Sequence, residues 1–555
     1  MDANRLKLID LIGQGESLTL EFKSDRKSLP DRDLVATIVG LANTDGGKLL
    51  LGVEDDGEIT GLHFNHLNIS GIPALISNKT NPSIAVRVER YEVDELFVAS
   101  IRVPKSRQLV STSDGHLLRR RLKLDGTPEA VPFYPHEFIQ RQSSLGLVDP
   151  SAMVIESVTA DQLTPLQRHR LRDAIKKFGG EQSLISLADN EMDGALGLCS
   201  EFNGIRHPTV AGLLLLGTEE LLRMHLPAYE VAFQVLQGTD VKVNEFFRKP
   251  LLETLEAVEL LFNARVEEEE IQVGLFRVPV PNYDRRAFRE AFVNALVHRD
   301  FSQLGAVHLQ ISDDGLSISN PGGFVEGVTL DNLLVAAPRS RNPLLADIIK
   351  RIGLAERTGR GIDRIYEGML RYGRPAPDYS MSNELSVNVQ MVDTTADFNF
   401  LQMVVEQEDK LGYMPIDSLI ILSHLREERR LATNDLATIV QKTETNVRGT
   451  LEKLLEIGLL ESHGTGRGRT YTLSAKVYQQ VGKKTEYVRQ VGFDRLQQEQ
   501  MIIKYLDLHG SIRRSDVMEL CYLNGPQAYR LLKKLVDSQM IIKRGERKYA
   551  VYIGV

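Results

Sequence analysis

The sequence predicts a multidomain α/β protein, and three observations carry that reading. The chain has 555 residues, enough for several domains that each bury a core. Its first 140 or so residues alternate strand-like and helix-like runs. From about residue 396 onward, a set of three short helical runs followed by a basic hairpin occurs twice. Between these regions, Asp284 to Phe301 reads as one long helix with two distinct stripes.

Composition sets bounds. Apolar residues make up 42% and charged residues 26%, the balance of a soluble globular protein. The formal net charge of −8 excludes a protein that is basic throughout, although local patches remain open. Cys199 and Cys521 lie far apart, so neither a disulfide framework nor a cysteine zinc site is expected, and a reducing cytosol fits. The N-terminal stretch has no uncharged apolar core, and no run of 18 apolar residues occurs. We expect a cytoplasmic homo-oligomer without membrane contact.

Residues 1–140 are read as one α/β domain. Glu16 to Lys23 alternates like a strand, with Leu18, Leu20 and Phe22 on one side and Glu21 and Lys23 on the other. Asp31 opens a helix with apolar positions Leu34, Val35, Ile38 and Leu41. Gly46 and Gly47 end it, and Lys48 to Val53 is a buried strand that runs into the turn Glu54-Asp55-Asp56-Gly57. Phe97 to Val103 is a further strand. Arg119, Arg120, Arg121 and Lys123 form a basic cluster.

The three pieces Glu16…Glu21-Phe22-Lys23, Ala42 to Gly47 and Gly52 to Gly57 resemble the motif of the Schlafen-type AlbA domain. That resemblance implies a nucleic-acid-binding domain. In the Schlafen nucleases it implies a metal-binding triad that cuts RNA, which maps here onto Glu16, Glu21 and Asp55. Converging carboxylates repel unless a divalent cation neutralises them, and such a cation (Mg²⁺ or Mn²⁺) would activate water. Lys23 and Arg119, Arg120 and Arg121 would then steer the nucleic-acid backbone. The bland alternative is that Glu16 and Asp55 cap and solvate turns.

Residues 141–280 are read as a connector. Pro208 to Gly217 reads as a buried strand and turn, Leu251 to Ala264 as an amphipathic helix, and Glu267 to Glu270 as a solvated acidic turn.

Residues 281–395 hold the two-striped helix. Phe288, Ala291, Phe292, Ala295 and Leu296 form a core stripe. Glu290, Asn294 and His298 form a second stripe, followed by Arg299 and Asp300. A strand then runs from Leu316 to Asn320 into Pro321-Gly322-Gly323, and Gly359 and Gly361 open another helix. In this order, with Arg341-Asn342-Pro343 between, the pieces resemble the Bergerat ATP-binding fold, in its divergent branch of bacterial "helicase-related" proteins. The resemblance implies an α/β sandwich that binds ATP. It makes Asn294 a Mg²⁺ ligand through its oxygen and Glu290 the group that orients or deprotonates water. It places His298, Asp300, Gly322 and Gly323 about the nucleotide, with Gly359 and Gly361 admitting the phosphates to a helix start. Where the superfamily usually has Asp, this chain has Asn320, whose carbonyl oxygen can still accept from adenine.

Residues 396–483 and 484–555 each read as three helices and a hairpin rich in Gly, Arg or Lys. They resemble winged helix-turn-helix domains, preceded in the first case by a linker helix. The resemblance implies nucleic-acid contact by the third helix and the wing, through Arg448, Arg467 and Arg469 in the first and Lys543 and Arg544 in the second.

Two functions follow as expectations. One is an ATP-binding, metal-dependent Schlafen-type endonuclease, acting in phage defence. The other is an ATP-responsive DNA-binding transcription regulator without nuclease activity. No GxxxxGK[ST] phosphate loop occurs, so a true helicase is not expected.

Overall fold

The computed structural model describes residues 3–554 apart from 124–125, 274–275, 356–358, 429, 465–467, 475–476, 478–498, 500–501, 504, 507–509, 522–524, 539 and 545–550. No helix among the described residues is long and apolar enough to cross a membrane.

The first unit is a four-stranded sheet in the order Leu20–Lys23, Gly47–Leu51, Leu96–Val103, Arg87–Val93. The first pair is parallel and the other two are antiparallel. Alternate residues serve two cores. Leu49, Ile101 and Val103 pack under the Asp31–Asn43 helix, whereas Leu20, Phe22, Leu50 and Val98 pack with Leu8 of the Ala3–Gly13 helix. The strand expected from Glu16 starts only at Leu20, because Ser17 and Leu20 close a turn on each other.

The second unit is a five-stranded sheet in the order Asp240–Phe247, Val231–Gln237, Val307–Ser312, Gly315–Pro321, Ser386–Met391. One hydrophobic core runs through it from Val158 to Met391. The division drawn at 280/281 therefore passes through a single sheet and core. The first two strands belong to the stretch read as a connector.

Two local readings are corrected. Val210–Leu216 is a helix, not a strand. A short, wholly apolar run has no period to separate the two, and Thr209 decides by accepting from Gly212 N at 3.1 Å as an N-cap. Glu268 to Glu270 is not a turn. It begins the strand Glu268–Val273, paired with Phe276–Pro281, and Arg277 and Arg285 meet its acids.

Beyond Phe398–Leu411, a helix, come Ile416–Glu428, Thr433–Val440 and Glu444–Glu456, then a sheet in the order Leu431–Ala432, Thr470–Leu473, Leu460–His463. The last unit repeats the pattern with helices Arg514–Cys521 and Gly525–Asp537 and the sheet Ile512–Arg513, Val551–Gly554, Ile541–Arg544. Most of its expected first helix and of its wing lies outside the described residues.

Candidate functional site

The two-striped stretch is the helix Arg285–His298. Asp284 caps it, accepting from Arg286 N at 2.9 Å and Ala287 N at 2.8 Å. Phe288, Ala291, Phe292, Ala295 and Leu296 are buried in the core. The other stripe, Glu290, Asn294 and His298, lines a cavity of about 260 Å³. Asn320, Gly323, Gly359 and Gly361 line the same cavity, so residues far apart in sequence converge there.

The glycines are required by space. A Cβ on Gly361 would lie 2.1 Å from Glu290 Oε1. Gly359 adopts φ +76°, and a Cβ there would lie 2.3 Å from Pro338 Cγ. Gly322 sits at φ +94° against Asp300.

Asn320 is 5% exposed, and its Nδ2 donates to Pro321 O at 3.1 Å and to Gly322 O at 3.4 Å. Two carbonyl partners fix which end of the amide is the donor. Only Oδ1 is left to face a ligand. His298 is held neutral. Burial, with Arg341 and Lys350 nearby, pushes its pKa down to about 4.

Asp300 does not line the cavity. Its carboxylate accepts from Ser302 N and Oγ and lies 3.6 Å from Arg341, which itself donates to Gly323 O at 3.0 Å. It buttresses the glycine turn. Sequence reasoning missed Tyr379, Phe324 and Asp363, which also line the cavity. Burial, with Tyr366 and Glu290 adding to it, raises the Tyr379 phenol's pKa. No local pattern marks Tyr379, an isolated residue in a loop.

In the first unit, Glu16, Glu21 and Asp55 come near one another, but two of them are engaged. Glu16 Oε1 accepts from Phe22 N at 2.8 Å. Burial raises the pKa of Glu16. The Phe22 N–H opposes that shift, and Glu21 and Asp55 add to it. Glu21 is bound by Lys23 at 2.5 Å and by Arg120. Among the described residues no three His, Cys, Asp or Glu side chains are grouped to hold a metal ion.

The basic cluster divides. Arg120 is 3% exposed and also donates to Ser17 O at 2.7 Å, so it faces inward and is not part of a steering surface. Alternation along Leu118–Leu122 gives this result, and the run of three arginines concealed it. Arg119 pairs with Glu137, and Arg121 with Glu129.

In the first C-terminal unit Arg448 pairs with Glu444, and Arg469 with Glu452 of the same helix. Arg467 lies outside the described residues. Lys543 and Arg544 stand exposed on Ile541–Arg544. Residues 484–555 hold 13 Lys and Arg against 8 Asp and Glu, whereas 396–483 hold 11 against 12. The last unit is the basic one.

The sheet with its glutamates and the cavity define the class: an AlbA-type unit joined to an ATPase-type unit. Two family-model matches support a Schlafen-type AlbA protein with a helicase-related ATPase domain. Residues 16–125 match the family "Schlafen, AlbA_2", and residues 305–391 match "Putative ATP-dependent DNA helicase recG C-terminal". Residues 138–232 match a domain of unknown function, DUF8451. The second match begins after the Arg285–His298 helix, so the assignment of Glu290 and Asn294 rests on the cavity. The chain is similar in fold to the DIP2311 protein from Corynebacterium diphtheriae, a solved structure. The two are 21% identical over 100% of each chain, with a TM-score of 0.51. The comparison with curated proteins gives no match.

Proposed function

We infer that this protein binds ATP in the Glu290–Asn294 cavity and uses it to control how the AlbA unit and the C-terminal units, which we read as winged helices, hold nucleic acid. The observation that carries the ATP reading is Asn320. Its buried amide has both donors satisfied by backbone carbonyls, which leaves one acceptor for an exocyclic amine. Adenine offers that amine and guanine's carbonyl edge does not. Asn294 Oδ1 and the Glu290 carboxylate are oxygen groups suited to Mg²⁺ and water, and the glycines leave room for phosphates. Bound Mg²⁺ would neutralise phosphate charge.

Control by ATP is supported by what grips the segment that walls the cavity. Val325, Val328, Leu333 and Leu334 line it. Beside them, Glu326 meets Lys105 at 3.0 Å and Arg141 at 3.4 Å. On the other side Gln441, at φ +59°, accepts from Leu334 N at 2.8 Å and donates to Leu330 O at 2.7 Å. A ligand that reshapes this segment acts on both neighbours at once.

Isothermal titration tests the nucleotide reading. Mg²⁺-ATP binds the wild type, GTP binds at least tenfold more weakly, and Asn294→Ala loses most of the affinity. Equal binding of ATP and GTP removes the role given to Asn320.

The geometry favours holding nucleic acid over cutting it, because Glu21 is already neutralised by Lys23 and Arg120. The mutual proximity of Glu16, Glu21 and Asp55 supports the endonuclease as the second reading. Mn²⁺-dependent cleavage of RNA or DNA that Glu21→Gln abolishes would make it the first.

A further inference from the structure

The sheet of the AlbA unit carries a feature that neither the motif nor the basic cluster accounts for. Lys48 lies directly opposite Arg102, and Arg102 directly opposite Arg87, across three adjacent strands. Directly opposed residues share a face. The next register step, Leu49 and Ile101, points the other way into the core. Three cations therefore stand in one row. With strands about 4.8 Å apart, the row spans about 10 Å.

All three side chains are exposed. None of them has an ion-pair or hydrogen-bond partner among the described residues. This differs from Lys23, Arg119, Arg120 and Arg121, each held by a carboxylate. Like charges directly opposed in a sheet destabilise it. An uncompensated row gains energy only when an external anion with repeating charge lies along it.

A groove of about 800 Å³ follows the row, lined also by Leu11, Leu20 and Lys105. Its acid, Asp45, is neutralised by Lys105 at 2.7 Å. Among the described residues no aromatic side chain lines it, so bases have nothing to stack on there. A surface of spaced cations without stacking platforms fits a phosphodiester backbone and reads no sequence.

We propose that Lys48, Arg102 and Arg87 form a phosphate-binding row, the sequence-independent nucleic-acid contact of the AlbA unit. The proposal rests on the nucleic-acid reading above and assigns the surface that carries it. The repeating charge comes from a duplex or a single strand, and the slope of affinity against salt separates the two, at about 0.9 or 0.7 per phosphate contact.

The test uses the full chain and the triple variant Lys48→Gln, Arg87→Gln, Arg102→Gln, which keeps the stems and removes the charge. Fluorescence anisotropy is read with a labelled duplex and a single strand of equal length, each in two unrelated sequences. The variant binds about tenfold or more weakly at low salt, equally for both sequences, and its salt slope falls by about 2 to 3. Its melting temperature is unchanged or higher, because repulsion has been removed. Arg87→Lys with Arg102→Lys keeps the binding. Wild-type binding left unaltered in affinity and slope by the triple variant overturns the row and leaves the wider reading standing. Absence of nucleic-acid binding by the wild type overturns both. Competition by polyglutamate as strong as by duplex of equal charge assigns the row to an acidic protein and overturns the proposal.

Discussion

Glu290 and Glu21 are both motif glutamates beside a glycine turn, and the fold treats them differently. Glu290 lies on a helix face that lines a cavity, and Gly361 is bare so that its carboxylate has room. Glu21 lies on a strand and is clamped by Lys23 and the buried Arg120. One glutamate faces a cavity, whereas the other is paired with two cations. A matching motif therefore does not say what surrounds its carboxylate, and sequence spacing is silent on that.

The largest effect should come from breaking the clamp. Arg120→Ala removes the buried half of the clamp and leaves Glu21 to Lys23, at a cost of about 3 kcal/mol in urea unfolding. The freed glutamate should also gain affinity for Mn²⁺, read by titration calorimetry. Stability unchanged in that variant would mean the clamp is an incidental surface contact.

Filling the open site should cost less. Gly361→Ala puts a methyl group against Glu290 Oε1, at a cost of about 1 to 3 kcal/mol, and weakens nucleotide binding. Combining it with Glu290→Ala should restore much of the stability. If the double variant is no better than the single one, the clash lies elsewhere.

Acid should distinguish the cavity by an effect that is graded with pH. His298 has its pKa depressed from 6.5 to about 4 in the fold. Between those values the unfolded chain binds the extra proton, so stability is full above pH 6.5 and declines as pH falls towards 4. The loss is up to about 1.4 kcal/mol per pH unit. His298→Gln should flatten that part of the stability–pH curve, and an identical slope in the variant would place the titrating group elsewhere.

By itself the sequence determined the elements whose signals are local. The period of the Arg285–His298 helix separates a core stripe from the stripe that lines the cavity, because 3.6 residues per turn hold whatever the surroundings. The glycines at 359 and 361 mark turns at the cavity, because a side chain there meets Pro338 or Glu290, which line it, whereas Gly322 lies behind the lining against Asp300. The opening strand of the AlbA unit was legible over Leu20–Lys23, but its expected first turn from Glu16 was not strand.

Only the tertiary structure decided what depends on distant partners. Val210–Leu216 became a helix through its Thr209 cap, and the strands at 231–247 joined the ATP unit's sheet across a boundary the chain does not announce. Arg120 turned inward to Glu21, about a hundred residues away, while Lys48, Arg102 and Arg87 came into one row from three separate strands. The reason is physical. Periodicity and turn geometry act over a few residues, whereas neutralising or concentrating charge depends on which strands lie side by side. That is settled by burial of the whole core.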